Sequence, residues 1–260
     1  MCKWIESQPS SGSPQVQGSS KSSTHESRES VSETQTAVSG HPSYSEEAEL
    51  VALEREAEHP DRIPTLRFNE DEIRNQEMSV AKLKLATRLF KRFGTLLIEN
   101  AFEPELVDRL SQEYFRDYSR YSQHQRHADA LKVGSRRYMV TIELAGAFND
   151  PAVYAPSLVL PVIRGILGEK MILGSLTAVT SLGGSKDMHI HKDHPALFSR
   201  REVDHELPSF GVSVILPLLG FSEQLGTTRI WKGSHKISLK ESLKTPHQDP
   251  YSSKGSCLLM

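Results

Sequence analysis

The sequence predicts an α+β protein built on a β-sandwich or barrel, and three observations predict it. Helical periodicity is concentrated early in the chain, strand-like runs dominate later, and the two do not alternate as βαβ units would. No Gly-rich phosphate loop, nucleophile elbow or internal repeat occurs in the 260 residues. That length suits one domain with appendages and is enough to bury a sizeable core.

Residues 7–45 are rich in Ser, with Gln, Glu, Gly and Pro but almost no large apolar side chains, so they cannot repay the entropy of ordering. EEAELVALEREAEHP can form a short acidic helix ending before Pro60, although Leu50, Val51 and Leu53 give a core little to hold. The expected organisation is a disordered Ser-rich tail over 1–60 and one folded domain over 61–260. After Ser79, a suitable N-cap, Val80, Leu83, Ala86, Phe90 and Phe93 recur at helical spacing until Gly94 stops them. TLLIENAF follows as a strand, and Pro104 opens a second helix with Val107, Leu110 and Tyr114 on one face. The polar stretch from Ser119 to Arg137, with His124 and His127, predicts a long loop or lid. Then come the strand-like runs YMVTIEL, MILGSLTAVTSL, FGVSVILPLL and TTRIW, and one short apolar helix within SLVLPVIRGILG.

Composition narrows the function classes. Lys and Arg number 31 against 33 Asp and Glu, a balance that gives no broad electrostatic reason to expect nucleic acid or an anionic membrane. Cys2 and Cys257 are the only cysteines, so neither a disulfide framework nor a four-cysteine zinc site is available. No run approaches the roughly 20 apolar residues that span a bilayer, and the start has no signal-peptide core. The expectation is a soluble, cytoplasmic protein.

The densest chemistry is MHIHKDHPALF, residues 188–198. On a strand, residues two apart share a face, so His191 and Asp193 can aim at one ion while Lys192 points away. One imidazole, one carboxylate and a distant histidine make the facial triad of non-haem Fe(II) oxygenases; a polar strand edge with hydrogen-bonded side chains matches the same letters. The longer pattern His189-x-His191-x-Asp193-His194 points instead to a two-zinc hydrolase of the metallo-β-lactamase type. Its surroundings, SLGGSKDM before and PALF after, lack the apolar strand and Gly-Gly turn of that family.

LGTTRIWKGSHK, residues 225–236, resembles the "NG-x-x-x-x-x-PGSHK" stretch of the phytanoyl-CoA dioxygenase family, with Lys232 in place of the usual proline. FKRFGTLLIENAFEPELVDRL resembles that family's opening "G-x-x-x-I-x-N-x-F", and ILGEKMILGS its "LLG" helix end and following strand. The pieces keep the family's order over about residues 80 to 260. The resemblance implies a double-stranded β-helix, a jelly-roll or cupin-like barrel with N-terminal helices, that uses Fe(II), 2-oxoglutarate and O2 to hydroxylate a small organic substrate. It carries the metal ligands over to His191 and Asp193 and a 2-oxoglutarate contact to Met188. His235 matches a turn histidine that is not a ligand, and His189 and His194 become neighbours of the site.

The pattern departs at the end of the chain. KGSCLLM resembles the family's "GDCLLF" strand, after which the second metal histidine and the arginine that clamps 2-oxoglutarate are expected; the sequence stops at Met260. The resemblance therefore predicts a barrel incomplete at the C-terminus with an exposed strand edge, as a fragment, a truncated product or a non-catalytic β-barrel that binds a partner. Cys257-Leu-Leu-Met also fits a farnesylation box.

Overall fold

The computed structural model describes residues 2–6, 44–120, 130–194, 197–198 and 207–260. Its strands are β1 (Cys2–Glu6), β2 (Thr65–Leu66), β3 (Leu96–Ile98), β4 (Leu131–Gly134), β5 (Arg137–Thr141), β6 (Met171–Ser181), β7 (Gly211–Ile215) and β8 (Cys257–Leu259). They join into one sheet in the order β2-β3-β8-β7-β1-β6-β5-β4. Only β2 and β3 pair in parallel; the other neighbours are antiparallel. The architecture is α+β, as expected, and the order runs from β2 to β4.

The helices follow local chemistry. In α1 (Tyr44–Glu58), Leu53 and Ala57 are buried; α2 (Glu70–Asn75) starts with a reciprocal Asn69–Glu72 capping box. In α3 (Val80–Phe93) the Ser79 side chain accepts from Lys82 N–H, and Gly94 ends the helix at φ +70°, a conformation glycine adopts without a Cβ penalty. Helix α4 (Pro104–Asp117) buries Leu106, Val107, Leu110 and Tyr114, including the three side chains its periodicity selects. The short α5 (Pro151–Tyr154) leads to α6 (Leu160–Leu167), which packs on α3 so closely that a Cβ at Gly165 would lie 2.6 Å from Thr87 Oγ1. The four-residue α7 (Leu239–Ser242) has a Ser238–Glu241 capping box. None of these helices is long and apolar enough to cross a membrane.

Strand alternation divides the interior in two. Leu96 and Ile98 of β3, Cys257 and Leu259 of β8 and Val212 and Val214 of β7 enter the main core with Leu85, Leu89, Phe90, Val162 and Ile163 from the helices. The intervening Leu97 and Leu258 point the other way and meet Ile63 and Ile230, with Ile215 packed against them. Because β3 and β8 are covered on both faces, all six of their residues are buried, and continuous apolar runs result. Fully burying each such Leu or Ile contributes about 1.5–3 kcal/mol.

Several expectations change. Ordered structure reaches back into the span assigned to the tail: α1 docks through Leu53 and Ala57, and three ion pairs, Glu49–Lys82, Glu54–Arg88 and Glu58–Arg92, supplement its few apolar contacts with α3. Cys2–Glu6 forms β1, between β6 and β7; residues 7–43 lie outside the described ones. Of the expected α3 face, Ala86 and Phe90 are buried and Leu83 and Phe93 pack against the core, but Val80 is 61% exposed, and the buried face extends to Leu85 and Leu89. The expected 119–137 loop contains β4, and His124 and His127 lie outside the described residues. TTRIW makes a single bridge, Ile230 to Gln248, because a turn from Trp231 O to Ser234 N–H follows at once. Finally, β8 is interior, between β3 and β7, so it presents no free edge. Cys257 is fully buried there, where a farnesyl group could not be attached without unfolding the strand.

Candidate metal centre

Strand β6 stops at Ser181 because a turn follows, with Gly184 at φ +79° and Ser185 N–H donating to Leu182 O at 3.0 Å. The segment that carries the histidines therefore leaves the sheet. Residues 186–192 have no regular secondary structure, which corrects the expectation that His191 and Asp193 share a strand. The partners nevertheless differ as the expected pattern would have them. Lys192 turns away and donates from Nζ to the Ile237 carbonyl at 2.7 Å, while His191 Nε2 and Asp193 Oδ1 face each other at 3.6 Å.

Each member of that pair is held by its other polar atom. His191 Nδ1 lies 3.0 Å from the His189 carbonyl; a carbonyl only accepts, so Nδ1 carries a proton, and in the neutral ring it is Nε2 that offers a lone pair. Ser213 Oγ donates to Asp193 Oδ2 at 2.7 Å, leaving Oδ1 towards the histidine. Ser213 is in β7, where alternation turns it away from Val212 and Val214 and burial leaves it 1% exposed. At 3.6 Å the two facing atoms are too far apart for a hydrogen bond. Two acceptors so placed repel one another unless a proton or a cation lies between them.

The remaining expected residues fall around this pair. Met188 is half-buried, three residues before His191. The His189 and His191 rings are 5.1 Å apart. His194 packs edge-on against Phe210 at 5.3 Å and against Gly211, where a Cβ would come within 2.6 Å of its Nε2. His235, as its turn position implies, is structural: Nε2 is 3.3 Å from the Lys91 carbonyl, and the ring fills the space over Gly94. Burial pushes its pKa below the usual histidine value, against the opposing effect of the Lys91 bond, and the lysines at 236 and 192 add to the fall. Among the described residues no three His, Cys, Asp or Glu side chains gather at one metal position. The four-residue motif is thus not assembled as a two-zinc site demands.

Two contributors escape a reading of the motif alone. Ser213 is visible as the one polar residue within the apolar FGVSVILPLL run. Lys192 carries no such signal, since an exposed lysine is ordinarily solvated.

A family model described as phytanoyl-CoA dioxygenase (PhyH) matches residues 90–256, from the last turn of α3 to the residue before β8. The match takes in the His191–Asp193 segment and the GSHK turn, and covers well over half of the chain; the protein belongs to that family. Among curated proteins, a Penicillium canescens protein named dioxygenase olcK is 25% identical over 198 residues, covering 73% of this chain and 62% of the relative. The chain thus spans less than two thirds of that relative's length.

Proposed function

We propose that the protein is an Fe(II)- and 2-oxoglutarate-dependent dioxygenase that hydroxylates a small organic substrate, with His191 and Asp193 as metal ligands and Met188 beside the co-substrate. Membership of the family and the name of the fungal relative support the reaction class. The observation that carries the assignment is the facing pair of lone-pair donors, His191 Nε2 and Asp193 Oδ1, at 3.6 Å. Two donors each about 2.1 Å from one ion can be no more than roughly 4.2 Å apart, so the separation suits a shared ion. An imidazole with a carboxylate is also the donor chemistry that non-haem iron uses, completed there by a second histidine.

When bound, Fe(II) with 2-oxoglutarate and O2 supplies the oxidising chemistry that hydroxylation requires. The chain's own residues orient the donors. The His189 carbonyl fixes the His191 tautomer, and the Ser213 hydroxyl fixes which carboxylate oxygen of Asp193 is presented. The double-stranded β-helix belongs to the same reading, with the β6–β7 region as the wall that bears the site. Two cysteines in 260 residues support a reducing, cytoplasmic setting.

Anaerobic titration of the chain with Fe(II), followed calorimetrically, tests the ligands. One ion per chain is expected, with binding lost in His191→Ala and Asp193→Ala, together with iron-dependent consumption of 2-oxoglutarate. Undiminished binding in both variants would remove the assignment. Absence of binding in the parent chain, with partner binding untouched by His191→Ala, would instead indicate a non-catalytic relative.

A further inference from the structure

We propose that Lys192 is a positioning residue: by fastening its segment to the turn at 231–237 it holds His191 and Asp193 at metal-binding separation. This rests on reading that pair as ligands. Residues 186–192 have no regular secondary structure, so sheet pairing does not set the geometry of the two donors. Besides an exposed Asp187–Arg229 ion pair at 3.8 Å, side-chain contacts on either side of the donors anchor the segment. On one side Ser213 of β7 holds Asp193 Oδ2 at 2.7 Å. On the other, Lys192 Nζ reaches the Ile237 carbonyl at 2.7 Å, across 45 residues of sequence. Lys192 bonds the Ile237 carbonyl while His191 and Asp193 face each other, so the anchor does not use the donor atoms.

The turn it grips is itself fixed at several points. Gly233 N–H donates to the Phe93 carbonyl at 2.7 Å and Ser234 N–H to Trp231 O at 3.0 Å. His235 packs over Gly94, with Nε2 against Lys91 O. Lys232 Nζ donates to the Ala57, His59 and Arg62 carbonyls at 2.8, 2.6 and 3.0 Å. A tethered segment brings its donors to the ion already ordered. An untethered one must lose backbone freedom on binding, and that loss appears as weaker affinity.

Titration of the whole chain with Co(II), read by its visible ligand-field absorption, provides the test, alongside the melting temperature of the metal-free protein and hydrogen exchange over 186–193. Lys192→Met is expected to bind Co(II) roughly 10–100-fold more weakly, the usual consequence of removing a support behind a ligand. Its exchange should be faster over that segment and its melting temperature little changed, because the side chain is exposed. Lys192→Arg, which can still donate to Ile237 O, should recover most of the affinity. Parent-like affinity in Lys192→Met would overturn the proposal, as would a lowered melting temperature without any change in affinity. Failure of the parent chain to bind Co(II) would overturn the ligand assignment itself, a distinct result.

Discussion

At the scale of single residues, the two histidines flanking the site region have opposite characters. His191 is 40% exposed and faces a carboxylate; His235 is a wedge whose Nδ1 is buried without a hydrogen-bond partner. Burial already holds its pKa down, reinforced by the lysines at 236 and 192, among which a protonated imidazole would place a further charge. Between the depressed folded value and the ordinary value of about 6.5, the unfolded chain binds a proton that the folded chain refuses. Stability from this group is therefore fully present above the unfolded value and is lost as pH falls through the window. Urea unfolding between pH 7.5 and 5 should show a slope approaching, at most, about 1.4 kcal/mol per pH unit, and His235→Gln should flatten it. Equal slopes in the two proteins would show that other groups set the acid limit.

Among the elements, the turn at 231–237 carries Lys232 where the family stretch it resembles has proline, and the structure gives that lysine several contacts. A proline at position 232 could not donate the backbone N–H that Lys232 gives to Gln248 Oε1 at 3.1 Å. Nor could it close the end of α1, where the Lys232 ammonium gathers three carbonyls and lies 4.9 Å from the Phe93 ring centre. Burial lowers the pKa of that ammonium; Glu58 and Asp61 oppose the shift and Arg92 reinforces it. Lys232→Met keeps the stem and removes the donors, so it should destabilise the fold by about 1–3 kcal/mol and expose 57–62 to proteolysis. An unchanged denaturation midpoint would mean that water replaces the lysine without loss. Such contacts explain which elements were legible. Helices α3 and α4 announce themselves through their start signals and periodicity, α6 as a short apolar run, the strands β3, β5, β6 and β7 through apolar or alternating patterns, and β8 through the family resemblance of KGSCLLM. Helix α1 is legible as a helix but not as docked, because it is held by only two buried side chains, Leu53 and Ala57, and by ion pairs to residues far along the chain. The irregular path of 186–192 is set by a turn and by distant side-chain anchors, and nothing in His-x-Asp spacing encodes them.

For the whole molecule, the order of strands makes the shortest sequence signal the most central. The β1 backbone pairs with Leu173, Ser175 and Leu176 on β6 and with Val212, Ser213 and Val214 on β7, so the strand joins β2-β3-β8-β7 to β6-β5-β4. MCKWIE contains β-favouring Trp4 and Ile5, but six residues before a Ser-rich stretch are too few for pattern to separate a strand from a tail. The consequence reaches the site, since Ser213 lies opposite Lys3 in this pairing and its hydroxyl holds Asp193. Met260 takes both backbone hydrogen bonds of Ser213, at 2.8 and 2.9 Å, so β1 supports Ser213 through the flanking Val212 and Val214 that it also pairs with. Deleting residues 2–6 should leave two long strand edges unpaired, which promotes self-association, and should loosen Ser213. The expected outcome is a lower urea midpoint, concentration-dependent light scattering and weaker Co(II) binding than in the full chain. If the deleted protein stayed monomeric with the same midpoint and the same metal affinity, the sheet would not depend on β1, and the support of Asp193 would have to come from β7 and β8 alone.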